Sequence, residues 1–272
     1  ISGFGHVYGA GSRRRLLRPL LDTAYRRSFS PQNVRIVVQN EEDRLEVLRI
    51  CPAAGGRVRL IPGSGVDLQE FQPAPEPAGI PTVLLPARLL REKGIGEFAA
   101  AAAQLRRAGV AAHFALAGRL DPANRGALTE QEVEALSAQS GVQWLGDCQD
   151  MPRCLREAHI VCLPSYYREG VPKVLLEACA AGRAIVTTDS PGCRDVVHAE
   201  VNGLLVPPRD AEALAAAIQR LLDDAALRSR MGMAGRARAE RDFGVEQVVQ
   251  SHLDLYRELI GSGDAAAAAS AA

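Results

Sequence analysis

Several common chemistries are missing from this chain of 272 residues. Net charge is the first absence: 32 Lys and Arg stand against 32 Asp and Glu, so the whole chain has no bulk attraction to nucleic acid or acidic partners. Metal-type cysteine spacing is the second. Cys51, Cys148, Cys154, Cys162, Cys179 and Cys193 form no Cys-x-x-Cys pair, and no His cluster accompanies them. A zinc site or disulfide scaffold needs tighter spacing. The expectation is six reduced, mostly buried thiols in a cytosolic protein. No apolar run reaches spanning length. No leader pattern opens the chain, but the first residue is Ile1, so this excludes nothing.

What is present reads as globular. Hydrophobic residues make up 47% and charged residues 24%, ordinary values for a chain with a sizeable core. Apolar runs of strand length recur at 34–38, 82–87, 113–118, 159–164 and 184–188. Runs apolar on both faces suit a parallel sheet covered on both sides. Amphipathic helices lie between them. Ile95, Phe98, Ala99, Ala102 and Leu105 share one helical face, and so do Leu214, Ala217, Ile218, Leu221 and Leu222. The alternation predicts an α/β doubly wound fold.

Gly and Pro crowd 62–81 and mark a boundary. Residues 1–66 read as the remnant of one α/β domain, since "ISGFG" looks like a strand end running into a turn. Residues 67–80 read as a linker and 81–242 as a nearly complete second domain. A last helix over 243–260 presents Val245, Val248, Val249, His252, Tyr256 and Leu259 on one face, for which the first domain is a candidate surface. A low-complexity tail, expected to be disordered, fills 261–272.

Open parallel sheets bind ligands beyond the carboxyl ends of their strands. Arg88 and Gly118 follow two predicted strands, Glu169 and Asp189 follow two more, and Lys93 starts a helix. Arg88 and Lys93 suit a diphosphate, or they are a surface pair. Pro172 is well placed as a first helical residue, and the free amides beyond it favour an anion or sugar hydroxyls. Glu169 lies in the loop before that helix and Glu177 inside it. Such acids are either hydrogen-bond acceptors in a crevice or ordinary helix decoration.

The longer context decides. "LPSYYREGVPKVLLEACAAGRAIVTTDSPGCRDVV" followed by "NGLLVPPRDAEALAAAI" resembles the donor domain of the retaining glycosyltransferases of family 4, which have the GT-B architecture. The family's acid-x7-acid motif matches Glu169 and Glu177, and its Arg and Lys pair matches Arg88 and Lys93 in "ARLLREKG". "QNEEDRLEVL" and "IPGSGVD" look most like the subgroup that builds capsular, O-antigen and other lipid-linked glycans. The resemblance covers roughly 34–260.

That resemblance implies a nucleotide-sugar donor, a UDP-sugar by family habit. It also implies a lipid-linked (polyprenyl-diphosphate) or glycan acceptor. Arg88 and Lys93 would grip the diphosphate, Glu177 the ribose, and Glu169 with the Gly170 and Val171 amides the transferred sugar. Gly118 would border the same crevice, and the loop from Leu145 to Asp150 would border the base. No metal or other cofactor is implied. The reaction would retain anomeric configuration, on the cytoplasmic side and peripheral to the inner face of the membrane. With only part of the first domain present, residues 1–272 alone are expected to bind donor weakly and to transfer no sugar.

Alternatives stay open at this level. A GT-B-fold epimerase or phosphorylase, or a non-catalytic fragment binding sugar nucleotides, would share these motifs. A nicotinamide-dependent oxidoreductase is disfavoured, because "GFGHVYG" puts Tyr8 where a dinucleotide fingerprint needs glycine. His6 is given no catalytic role. The cluster Arg13, Arg14, Arg15, Arg18, Arg26 and Arg27 is either a solvated face or faces an anionic membrane.

Overall fold

A computed structural model describes the backbone at residue 1, 12–168 and 170–270, with side chains from 18 to 261 apart from 169. "GFGHVYG" and His6 lie outside the described residues, as do the side chains of Arg13, Arg14 and Arg15.

The first unit comprises α1 (Ser12–Phe29), β1 (Ile36–Val38), α2 (Glu41–Ile50) and β2 (Val58–Leu60). β1 and β2 pair in parallel. Ile36, Val38, Val47, Ile50 and Phe29 form its small core. The basic cluster is partly engaged within this unit. Arg18 pairs with Glu46 at 2.9 Å, and Arg26 donates to the Ile50 carbonyl at 2.9 Å.

The second unit starts with β3 (Thr82–Pro86), α3 (Ile95–Arg107), β4 (His113–Ala117), α4 (Glu130–Ser140), β5 (Gln143–Trp144) and α5 (Met151–Glu157). It continues with β6 (Ile160–Leu163), α6 (Lys173–Ala180), β7 (Ala184–Thr188), α7 (Cys193–Val196), β8 (Gly203–Val206), α8 (Ala211–Asp223) and α9 (Ala225–Arg238). Its six strands run parallel in the order β5-β4-β3-β6-β7-β8. The α/β doubly wound prediction is met, and period-two alternation explains the unbroken apolar runs. Val83 and Leu85 face α3, α4 and α8, where Phe98, Val133, Leu214 and Ile218 are buried. Leu84 faces the opposite layer, with Leu155, Leu175, Leu176 and Val196. Each such side chain contributes roughly 1.5–3 kcal/mol by leaving water.

The chain order reverses at β3. β4 and β5 extend the sheet one way, and β6, β7 and β8 extend it the other. Loops leaving β3 and β4 on one side, and β6 on the other, therefore part at their carboxyl ends and leave a crevice there.

The segment between the units has no regular element but is strapped down. Arg183 donates to Ala74 O at 2.8 Å, Arg236 to Phe71 O at 2.9 Å, and the buried Arg228 pairs with Glu76 at 2.8 Å.

The last helix, α10 (Val245–Ser270), departs from expectation in two ways. It continues through the region expected to be a disordered tail, because an alanine run is the best helix-forming sequence there is. Its predicted apolar face is also only partly covered: Val248 is buried and Val245, His252 and Leu259 are half-buried, while Val249 and Tyr256 are exposed; Leu255, off that face, is buried. α10 reaches the first unit through charge instead, with Glu258 pairing with Arg35 at 3.0 Å and Arg59 at 3.1 Å.

Candidate functional site

The crevice at the reversal point holds an open cavity of about 320 Å³. Arg88 enters it from the turn after β3, where Ala87 N donates to Ala117 O at 2.9 Å. Gly118 lines it just past β4, and its N–H donates to Gly146 O at 2.7 Å. A Cβ at position 118 would overlap the Ala87 carbonyl, so the two strand ends approach this closely only with glycine there.

Lys93 closes the 3₁₀ turn Arg91–Lys93. Gly94 follows with φ 77°, a left-handed conformation that ends the turn and starts α3. The loop after β6 fastens the turn: Ser165 Oγ donates to Glu92 O at 3.1 Å and Tyr166 N to the same oxygen at 3.0 Å. Thr188 Oγ1 in turn donates to Ser165 O. The lysine is thus placed by contacts from three strand ends rather than by its own helix.

Glu177 lies on α6, 7% exposed, with Lys173 Nζ 3.4 Å away. Burial pushes its carboxyl above the usual carboxylate range, and the Lys173 ammonium opposes that only in part. The carboxylate is held in a place that disfavours its charge, which is costly for the fold and typical of a site that waits for hydrogen-bond donors.

Arg88, Lys93, Gly118 and Glu177 therefore line one cavity. Arg119 and Lys173 join them, as do Asp147 and Cys148, so four basic side chains face two acidic ones. Arg119 follows a strand directly, so the strand-end rule reaches it with Gly118. Lys173 is not singled out from sequence, and its signal is position, one helical turn before Glu177.

The other predicted site residues lie elsewhere. Glu169 is outside the described residues. Gly170 and Val171 do not line the cavity. The Val171 N–H, expected to meet the sugar, donates instead to Gln39 Oε1 at 3.1 Å. The Gly170 carbonyl accepts from Asn40 Nδ2 at 3.4 Å. Leu145 lines a different hollow of about 270 Å³ with Thr82, His113 and Cys154. Asp150 caps α5, accepting from Arg153 N at 2.9 Å. The loop between those two still reaches the cavity, through Asp147 and Cys148. Asp189 pairs with Arg194 at 2.9 Å. Pro172 is the cap of α6 rather than its first helical residue. Among the described residues, no group of three or more His, Cys, Asp or Glu is placed to hold a metal ion.

The thiol expectation needs correction at one pair. Cys148 and Cys154 form a disulfide that ties the cavity-lining loop to α5. The turn into α5 brings together two sulfurs that are six residues apart, a spacing with no metal-type signature. Cys51, Cys162, Cys179 and Cys193 are in no disulfide and are buried, at most 4% exposed. Burial raises the Cys162 thiol pKa and pushes Cys179 up to about 12, so neither forms thiolate readily. Native protein treated with iodoacetamide after mild reduction should gain two adducts, at Cys148 and Cys154, and none without reduction. Four or more adducts by intact mass would contradict this burial.

Comparison with known proteins agrees with the geometry. The sequence model of the family described as Glycosyl transferases group 1 matches residues 67–238, which include all four converging residues. A Campylobacter jejuni N,N'-diacetylbacillosaminyl-diphospho-undecaprenol alpha-1,3-N-acetylgalactosaminyltransferase is 29% identical over 96% of this chain and 70% of its own length. Sucrose-phosphate synthase from Thermosynechococcus elongatus superposes with a TM-score of 0.81 at 29% identity, over 94% of this chain and 65% of that one. Anabaena HepE, solved in complex with UDP-glucose, shares the fold at a TM-score of 0.76 and 19% identity, over 91% of this chain and 70% of its own. With a doubly wound parallel sheet of GT-B type and a basic crevice at its reversal point, this chain belongs to the group 1 glycosyl transferases.

Proposed function

We propose that this chain carries the donor site of a retaining, family 4 glycosyltransferase. It takes a hexose or N-acetylhexosamine from a UDP-sugar and passes it to a lipid-linked or glycan acceptor during cell-surface polysaccharide synthesis. One observation carries the reading: Arg88, Lys93 and Glu177, from three separate segments, border one cavity.

Each residue's role follows from its chemistry. A diphosphate leaving group gathers negative charge as the sugar departs, and fixed cations beside it stabilise that charge more in the transition state than in the ground state. Arg88 and Lys93 are in that position, with Lys173 and Arg119 adding to the same field. Glu177 accepts hydrogen bonds from the ribose hydroxyls, which replace the water it has lost. Glu169 holds hydroxyls of the transferred sugar. Asp147 and Cys148 border the base.

In the step itself the anomeric C–O bond to the phosphate breaks, and the acceptor oxygen bonds the same face of that carbon. The acceptor proton passes to the departing phosphate oxygen, so configuration is retained and no protein nucleophile is consumed. The Campylobacter relative is named for an undecaprenol-linked acceptor, which supports an acceptor of that class here. It also supports an encounter at the inner leaflet, with the basic α1 facing anionic lipid. No helix among the described residues is long and apolar enough to cross a membrane.

The test is calorimetric titration with UDP-glucose, UDP-N-acetylglucosamine and UDP-N-acetylgalactosamine. One of them should bind, and Arg88→Ala should weaken it by about 10- to 100-fold, the worth of one charge-assisted hydrogen bond. Absence of binding by all three, or an Arg88→Ala protein that binds as well as wild type, would remove the reading. Transfer to a polyprenyl-diphosphate acceptor, followed by NMR of the product anomer, then checks the stereochemistry.

A further inference from the structure

We infer that Gln39 and Asn40, on the first unit, are positioning residues for the sugar end of the donor: their side-chain amides hold the Gly170–Val171 backbone where it enters α6. The inference rests on the donor reading above.

The two residues follow β1 directly, at the carboxyl end of the β1–β2 pair. Asn40 is buried, and its orientation is fixed. Its Oδ1 accepts from Asp43 N at 2.8 Å, which caps α2. With the oxygen committed, Nδ2 faces Asp43 Oδ2 at 3.0 Å and the Gly170 carbonyl at 3.4 Å. Gln39 supplies the complementary contact, since its Oε1 accepts from Val171 N–H at 3.1 Å. One amide thus takes the carbonyl of a residue pair and the next takes the N–H, which fixes that stretch in both position and rotation.

Nothing local can do this. Pro172 comes next, has no N–H, and caps α6 with no side-chain hydrogen bond. The Val171 N–H is the last amide proton before the helix, and its partner comes from 132 residues away. Glu42 steadies the flanks, 3.4 Å from Arg168 and 3.3 Å from Arg194.

The held stretch leads directly into the cavity wall. Pro172, Lys173 and Val174 line it, and Glu177 follows one turn later. These tethers arrive where α6 begins, beside the cavity wall of Pro172, Lys173 and Val174, and the donor reading gives that entry to α6 to the transferred sugar. They act on the half of the donor that lies beyond the diphosphate. Gln39 and Asn40 hold the chain where it enters α6, whereas Arg88, Lys93 and Arg119 are carried by the turns after β3 and β4, so the tethers act on the sugar more than on the nucleotide.

The experiment compares Gln39→Met, which keeps length but loses the acceptor, with Gln39→Glu, which keeps an oxygen for the Val171 N–H. Hydrogen exchange of the ligand-free protein reads the tether itself. Exchange at Val171 should be about tenfold faster in Gln39→Met and return to wild type in Gln39→Glu. Titration reads its use. Gln39→Met should weaken the UDP-sugar that wild type binds by about tenfold and leave UDP alone within about twofold, while Gln39→Glu binds both as wild type does. Equal weakening of UDP and UDP-sugar, or unchanged exchange at Val171, overturns the inference. A wild-type protein that binds no UDP-sugar overturns the donor reading and the sugar role with it, and the exchange measurement still separates that outcome from loss of the tether.

Discussion

Glu177→Gln is expected to weaken UDP-sugar binding by about a hundredfold and, in the same protein, to raise the melting temperature when no ligand is present. The first effect follows from exchanging a charged acceptor for a neutral one. Two charge-assisted bonds to a ribose diol fall to ordinary strength, a loss of about 2.8 kcal/mol at 1.4 kcal/mol per factor of ten. The second effect follows from where the carboxylate lies. Burial raises its pKa, with the Lys173 ammonium 3.4 Å away compensating in part. An acid whose folded pKa exceeds its unfolded one binds its proton more tightly when folded. Its contribution to stability is therefore greatest below the unfolded value and is lost as pH rises through the folded one. At neutral pH the wild-type carboxylate costs the fold stability that glutamine does not. The gain in melting temperature should be larger at pH 7.5 than at pH 4.5. Calorimetry of both proteins across that range checks the sign. A variant that binds donor normally, or one less stable than wild type at pH 7.5, would show that Glu177 is not held against its own desolvation for the sake of ligand.

Gly94→Ala is expected to destabilise the protein by about 2–4 kcal/mol, and Gly96→Ala, two residues on, by nothing or less than nothing. At Gly94 two penalties add. Its φ of 77° is strained for any residue with a Cβ. That Cβ would also overlap the backbone carbonyl of Pro164, which cannot rotate away. Gly96 is exposed inside α3 with nothing near its Cβ position, so alanine there gains about 0.5–1 kcal/mol of helix propensity. Urea unfolding of the pair separates a local clash from a general intolerance of glycine replacement in this segment. Because Gly94 seats the Lys93 turn on the loop after β6, the Gly94→Ala protein should also lose affinity for UDP-sugar. Equal stability of the two variants would mean the turn can move without cost.

The fold was legible wherever an element was long enough to show a period. Strands of four or five residues and helices such as α3 and α8 announced themselves through runs and faces. β2 and β5 did not, since two or three residues carry too little pattern to separate from a loop, and the four residues of β8 stand in the turn-rich stretch "NGLLVPP". The site was legible in the same graded way. Arg88 and Gly118 stand directly after strands, which a rule about strand ends picks out, while Glu177 stands inside a helix and only the longer resemblance singles it out. What fixes Gly170 and Val171 is encoded by no local pattern. Their hydrogen-bonding groups are taken by Gln39 and Asn40, residues that only the tertiary fold brings near. The Cys148–Cys154 pair escaped notice because its spacing carries no signature outside the fold. Leu145 and Asp150 bracket a loop whose inward side, Asp147 and Cys148, lines the cavity, which alternation along the chain does not reveal.

The strapped segment between the units changes where the molecule can bend. A stretch so rich in Gly and Pro looks like a free joint, yet Arg183, Arg228 and Arg236 fasten residues 71–76 to the second unit. The joint lies earlier. There the chain first crosses at Gly63 and Gly65, both at positive φ, and returns at Phe243 to Val245. Val66 N donates to Phe243 O at 2.9 Å and Val245 N donates back to Val66 O at 3.0 Å, so the outgoing and returning chain are stitched into one seam. Gly63 lies against Val171, so the grip of Gln39 on Val171 braces the same corner as this seam.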